Sequence, residues 1–92
     1  MIYLIHFDKP LHHARHYLGF CENDLERRIK EHKKGNGSPL MRAVKKAGIN
    51  WSVVRVWEGD RLLERKMKRR KKIKRYCPMC KFGVSDYDFS SH

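Results

Sequence analysis

Arg28 and His32 stand four residues apart in a segment whose apolar spacing puts Leu25 and Ile29 on one helical face. Both polar residues fall on that same stripe, at i+3 and i+7 from Leu25, where an ordinary amphipathic helix carries apolar side chains. Departures of this kind concentrate at functional sites. A guanidinium can fork onto the oxygens of a phosphate, and an imidazole one turn away can donate or shuttle a proton. The plain alternative is that the stripe ends at Ile29 and both residues sit at the rim of a sheet. Glu64 is a second anomaly, the only acid between Arg61 and Ser85 in a stretch dense with Lys and Arg. It reads either as an i,i+4 partner of Lys68, worth about 0.2–0.5 kcal/mol, or as the single carboxylate of a divalent-metal site that waters and a substrate phosphate complete. Such a metal stabilises developing charge and the leaving oxygen in phosphodiester cleavage.

Tyr3 and Tyr17 fall on two expected strands, where aromatic pairs are ordinary core features. Cys77-Pro78-Met79-Cys80 offers half the ligands of a zinc site. The other half would come from Cys21, from a histidine of His12-His13-Ala14-Arg15-His16, or from a second chain. The simpler reading of Cys77 and Cys80 is a pair of reduced structural thiols. Three cysteines without a secretory signal do not describe a disulfide framework. A thioredoxin-like role does not suit a pair that follows a basic helix at the chain end.

The elements that would position these groups follow from local pattern. Ile2 to Phe7 reads as a strand, Asp8 to Arg15 as a loop and His16 to Phe20 as a second strand, the two pairing as a hairpin. Gly19 within the strand pattern marks a bulge or a close backbone approach. Asn23 reads as an N-cap with Glu26 in capping-box position, opening a helix that runs to about Lys34 and stops at Gly35-Asn36-Gly37. Ser38-Pro39 opens another, with Leu40, Ala43, Val44 and Ala47 as its apolar stripe and Gly48 at its end. Trp51 to Trp57 is a third strand, with Trp51, Val53 and Trp57 on one face and Val54 and Val56 on the other, so both faces of the sheet should be covered. A basic helix runs from Arg61 to Arg75 with Leu63 and Met67 spaced for burial, and residues 83–92 read as a loose tail. The expectation is an α+β fold: a small three-stranded antiparallel sheet flanked by helices, in the order β-β-α-α-β-α, with residues 1–82 as one domain.

Charge points to the partner. The chain has 92 residues, with 22 Lys and Arg against 10 Asp and Glu, a formal net charge of +12. That length excludes two catalytic domains. Domains of this size bury only about 60% of their unfolded surface, so stability should lean on a ligand, a metal or a partner. A pI near 10.0 favours a polyanion, nucleic acid before an anionic membrane surface. Ten of the 22 basic residues lie between Arg61 and Arg75. Lys68, Arg69, Arg70, Lys71 and Lys72 would contact phosphates without sequence preference and with strong salt dependence, and Lys33 and Lys34 extend that surface. The apolar stretch Ile2 to Ile5 is too short for a signal-peptide core or a membrane span, so the expectation is a cytoplasmic protein with no membrane partner.

Taken together, the chain resembles the GIY-YIG endonuclease superfamily. Ile2-Tyr3 stands for the first motif, Tyr17-Leu18-Gly19 for the Tyr-Ile-Gly motif, and Leu25-Glu26-Arg27-Arg28-Ile29-Lys30-Glu31-His32 for the Leu-x-x-Arg-hydrophobic-x-x-His helix. Glu64 stands for the metal-binding glutamate, and the likeness spans about Met1 to Arg75. It extends to small standalone members with a Glu-Arg-x-x-Lys-Arg-Arg-Lys segment and a terminal Cys-Pro-x-Cys. Met1 replaces the Gly of the first motif, the spacing between Tyr3 and Tyr17 implies an enlarged hairpin loop, and the asparagine some members carry after the glutamate has no counterpart. The resemblance implies hydrolysis of a DNA phosphodiester with Mg²⁺ or Mn²⁺ on Glu64. Arg28 would stabilise charge on the phosphate, Tyr3 would act as general base or position the attacking water, Tyr17 would hydrogen-bond at the same site, and His32 would be an auxiliary base or phosphate ligand. RNA stays open as a substrate, as do monomer and homodimer. The competing readings are a non-catalytic nucleic-acid-binding module of the same fold and a zinc-ribbon-like interaction protein built on Cys77 and Cys80.

Overall fold

Five apolar residues of the first strand are wholly or almost wholly buried, Ile2, Tyr3, Leu4, Ile5 and Phe7, because that strand lies in the middle of the sheet with helices over both faces. The computed structural model describes residues 1–70 and 73–83. Its strands are antiparallel in the order β2-β1-β3, with β1 (Ile2–Leu11) between β2 (Ala14–Phe20) and β3 (Trp51–Trp57). The helices are α1 (Leu25–Lys33), α2 (Pro39–Lys46), α3 (Arg61–Arg69), a 3₁₀ turn at Ile73–Tyr76 and α4 (Pro78–Phe82). This is the expected α+β arrangement in the expected order.

Side-chain alternation along β1 divides the core in two. Tyr3, Ile5 and Phe7 face α1 and α2, packing with Leu25, Ile29, Met41, Val44 and Val53. Ile2 and Leu4 face the other way, packing with Leu18, Val54, Met67 and Cys77 beneath α3 and the C-terminal segment. Full burial of one such aliphatic or aromatic side chain is worth about 1.5–3 kcal/mol. Thus β1, carrying five of them, anchors both layers.

Several local expectations change. The stretch from Asp8 to Arg15 is not a loop: β1 and β2 extend to Leu11 and from Ala14, and His12-His13 alone turn the chain, His12 at φ 54°. The long spacing between Tyr3 and Tyr17 is therefore taken up by extended strand, with an irregularity in the pairing between His6 and Leu11, rather than by the loop. Asp24, not Asn23, caps α1, its carboxylate accepting from Arg27 N–H at 3.0 Å. Ser38 caps α2 as read, accepting from Met41 N–H, but the buried residues there are Met41 and Val44, and Ala47 is exposed. In β3 the pairing steps from Leu4↔Arg55 to Ile5↔Val53, so Val54 is an extra, bulged residue. A one-residue slip reverses every later side chain. Val56 therefore joins Trp51 and Val53 on the α1/α2 side, while Trp57 crosses to Val54. The basic helix ends at Arg69 instead of continuing to Arg75, and Leu63 is 37% exposed where burial was expected, although Met67 is buried. Lys71, Lys72 and the expected tail beyond Gly83 lie outside the described residues. No described helix is long and apolar enough to cross a membrane.

Candidate functional site

The hairpin register decides where the tyrosines go. Tyr3 pairs with Gly19 and Ile5 with Tyr17, so Tyr3 and Tyr17 are diagonal neighbours on the α1 side of the sheet, with ring centroids 6.1 Å apart. Gly19 is there because the Tyr3 ring lies across it: a Cβ at that position would collide with the ring and its hydroxyl. The close backbone approach suggested by the sequence is this contact.

Above the sheet, α1 presents Arg28 and His32 to Tyr3. The Tyr3 hydroxyl is 2.7 Å from His32 Nε2, and Arg28 Nε donates to the same oxygen at 3.4 Å. The His32 ring lies edge-on to Tyr17, 5.2 Å between centroids, and to Trp51 of β3, 6.4 Å. Of the two α1 residues that break the apolar stripe, His32 thus sits over the sheet, while Arg28, its side chain 32% exposed, reaches Tyr3 from the cleft wall. His32 is fully buried. Its Nδ1 is buried without a hydrogen-bond partner, against Gly37, where a Cβ would occupy the ring's space. Arg28 fixes that turn as well, donating to the Gly37 carbonyl at 3.0 Å and to Glu31 at 3.0 Å. Gly37 read in the sequence only as a helix stop. It is also the floor under His32.

Burial and neighbouring charge set the protonation states. Burial first, then the adjacent Arg28 charge, hold His32 at about 4, so its neutral imidazole persists at neutral pH. Burial, reinforced by Tyr17, pushes the Tyr3 hydroxyl well above the ordinary phenol range. Burial works against the Arg28 charge, but its hydrogen bonds to Tyr3 and Glu31 outweigh that and raise its hold on the proton.

An open cleft of about 420 Å³ lies beside this group, with Arg27, Arg28 and Arg61 on its walls together with Glu22, Asp24 and Glu31. Asp24 is engaged in the α1 cap, and Glu31 pairs with Arg27 and Arg28. One turn beyond Arg61, the Glu64 side chain is 13% exposed, with Lys68 Nζ 3.5 Å from its carboxylate. The same ammonium lies over the Tyr17 ring, 5.7 Å from its centroid. Glu64 thus reaches the tyrosine group through Lys68 rather than by a direct hydrogen bond. The structure thus shows Glu64 as the i,i+4 ion-pair partner of Lys68, and among the described residues it belongs to no group of three or more metal-ligating side chains. Lys33, Lys34, Lys68, Arg69 and Arg70 are all exposed on their helices.

A second centre occupies the opposite face of the sheet. His6 and His16 pair across β1 and β2, and Cys77 and Cys80 come over them from the C-terminal segment. The four ligand atoms lie within 4.8 Å of one another, a group that could hold a metal ion. Two sulfurs and two nitrogens suit a soft or borderline metal far better than Mg²⁺ or Mn²⁺. Of the further ligands weighed from the sequence, His16 belongs to the group and Cys21 does not. His6 was missed, and the signal for it was its place opposite His16 in a hairpin register that residue patterning left undefined. Cys77 is the N-cap residue of the short helix α4, which carries Cys80.

No protein-family model, curated protein or solved structure matches the chain.

Proposed function

We propose that the chain is a divalent-metal-dependent endonuclease of GIY-YIG type that hydrolyses DNA phosphodiester bonds. The observation that carries this reading is the Tyr3 hydroxyl, held between His32 Nε2 and the Arg28 guanidinium, with that guanidinium also lining an open cleft. Four polar groups drawn from β1, β2 and α1 into one cluster, with His32 fully buried and Arg28 at the cleft wall, have little use in a simple core, where burying a polar group costs stability.

In this reading Arg28 forks onto the phosphate oxygens and stabilises the charge that builds there. Tyr3 is wholly buried, so incoming DNA must first draw Arg28 from Glu31 toward a phosphate. That exposes the hydroxyl to the attacking water. Tyr3 holds its proton too firmly to stand as a phenolate at neutral pH. It therefore positions the attacking water as a neutral hydroxyl, accepting from Arg28 Nε while its own hydrogen is held on the Nε2 lone pair of neutral His32. Tyr17, partly exposed beside both, hydrogen-bonds at the site. Glu64 would hold Mg²⁺ or Mn²⁺, which supplies Lewis-acid stabilisation of the leaving oxygen. Lys68, Arg69 and Arg70, with Lys33 and Lys34, give the duplex an electrostatic track; Lys71 and Lys72 belong to the same proposed run.

Purified protein incubated with linear, nicked, branched and single-stranded DNA, and with RNA, tests this. Cutting should require added Mg²⁺ or Mn²⁺. It should fall by about 10²-fold or more in Arg28→Ala and be abolished in Glu64→Gln, with DNA binding largely retained in both. Absence of cutting on every substrate with either metal would overturn catalysis. Equal DNA binding by wild type and Glu64→Gln without cutting would leave a nucleic-acid-binding module, the reading that the Glu64–Lys68 ion pair favours.

A further inference from the structure

The His/Cys group on the far face of the sheet plays no part in this proposed chemistry. Cys77 and Cys80 lie 64 to 74 residues along the chain from the histidines they meet. His6 Nδ1 is 3.3 Å from His16 Nε2, 3.5 Å from Cys77 Sγ and 3.7 Å from Cys80 Sγ, and Cys80 Sγ is 3.3 Å from His16 Nε2. A ring nitrogen offers one hydrogen or one lone pair, so His6 Nδ1 cannot serve three partners by hydrogen bonding. One cation at the centre can serve all four groups.

The distances agree with such a cation. Zinc bonds of about 2.0–2.1 Å to nitrogen and about 2.3 Å to sulfur, set at tetrahedral angles, place two nitrogens about 3.3 Å apart and a nitrogen and a sulfur about 3.6 Å apart. The one nitrogen–nitrogen separation, 3.3 Å, and the three nitrogen–sulfur separations, 3.3 to 3.7 Å, lie close to these values. Charge agrees too: two thiolates cancel the dication, so the site adds no net charge beside Arg15 and Lys74, whose positive charges both reach His16.

The geometry points to a structural zinc site formed by His6, His16, Cys77 and Cys80, which clasps the segment from residues 73 to 82 onto the hairpin. All four positions are filled by protein, which leaves none open for substrate or water and makes the site structural rather than catalytic. Its place explains what it holds. Cys77 is buried in the same cluster as Met67 of α3, and the Tyr76 ring packs 6.2 Å from Trp57 of β3. The clasp therefore seats the C-terminal segment beneath the end of the helix that carries Glu64.

The experiment is metal analysis of the full chain, purified under reducing conditions without added zinc. About one zinc per chain is expected, together with the visible and thiolate charge-transfer bands of a tetrahedral S₂N₂ site when Co²⁺ replaces it. Cys77→Ser with Cys80→Ser, and separately His6→Ala, should bring zinc close to zero. Cys21→Ser, outside the site, should keep it. The Co²⁺ spectrum of the wild type stays informative even if a ligand variant fails to fold. Wild-type protein that binds neither zinc nor Co²⁺ would overturn the proposal, as would zinc retained in the double cysteine variant. None of these readouts involves DNA, so the result stands apart from the fate of the nuclease reading.

Discussion

His32 sits in a space that rewards only its neutral form. Tyr3, Tyr17 and Trp51 surround the ring, the Arg28 charge stands beside it, and Glu31 is the nearest acid with an opposing effect. Its proton affinity is lowered from 6.5 in the open chain to about 4 in the fold. Between those values the unfolded chain binds more protons, so His32 contributes its full stability above pH 6.5 and loses it as pH falls toward 4. His16, lowered to about 4 chiefly by burial, acts in the same direction wherever it carries no metal. The clean measurement is therefore the difference between wild type and His32→Gln in urea midpoints across pH 7 to 4, with the variant showing the shallower fall. Gly37 tests the same cavity from below. A methyl group there must displace the His32 ring, and overpacking of this kind costs about 1–3 kcal/mol. Gly37→Ala should lower Tm by roughly 4–8 °C per kcal/mol lost and reduce cutting with it. Arg28→Lys should fail to restore cutting, because an ammonium cannot reproduce the fork that reaches Tyr3, Glu31 and Gly37 together.

At the scale of the element, α3 is the informative one. Asp60 caps it, accepting from Leu63 N–H at 2.8 Å, and the basic residues of its last turn suit the negative end of the helix dipole. Yet Arg65 and Arg69, like Lys66 and Arg70, place like charges at i,i+4, which opposes further helix. The helix stops at Arg69, and the chain resumes as a 3₁₀ turn at Ile73. Glu64 and Lys68, by contrast, form an attractive i,i+4 pair within the helix. If the exposed end of α3 is the DNA track, Arg69→Ala with Arg70→Ala should weaken binding evenly across sequences. It should also flatten the slope of log affinity against log salt by about 1 for each phosphate contact removed. An unchanged slope would take these two residues off the track.

On the scale of the whole molecule, the sheet separates two centres: a tyrosine–histidine–arginine group under α1 and a histidine–cysteine group under the C-terminal segment. A small domain gains most from a cross-link that closes a long stretch of chain, and the proposed clasp joins residues 71 apart in His6 and Cys77. Structural zinc sites contribute folding energy directly. Stripping the metal with a strong chelator under reducing conditions should therefore lower Tm by about 10 °C or more, and restoring zinc should recover it. Mg²⁺ should not substitute, since its chemistry calls for oxygen ligands.

Local chemistry made much of the architecture legible. The β-branched run of β1, the Ser38-Pro39 start of α2 and the apolar strand at Trp51 to Trp57 specify their elements through neighbours a few residues away, so the order of strands and helices could be read directly. The offset of Arg28 and His32 from Leu25 placed both on the inner side of α1 for the same reason. Register was not legible. It depends on which residues meet across strands, and there a two-residue turn replaced the expected loop and one bulged valine reversed the end of β3. Only the tertiary structure brought His6 and His16 opposite each other and carried Cys77 and Cys80 over them, because ligands this far apart in sequence acquire a common centre only when the sheet and the C-terminal segment pack. It likewise gave Gly37 its second role beneath His32. The sequence by itself determined the elements and the charge; packing decided which side chains share a site.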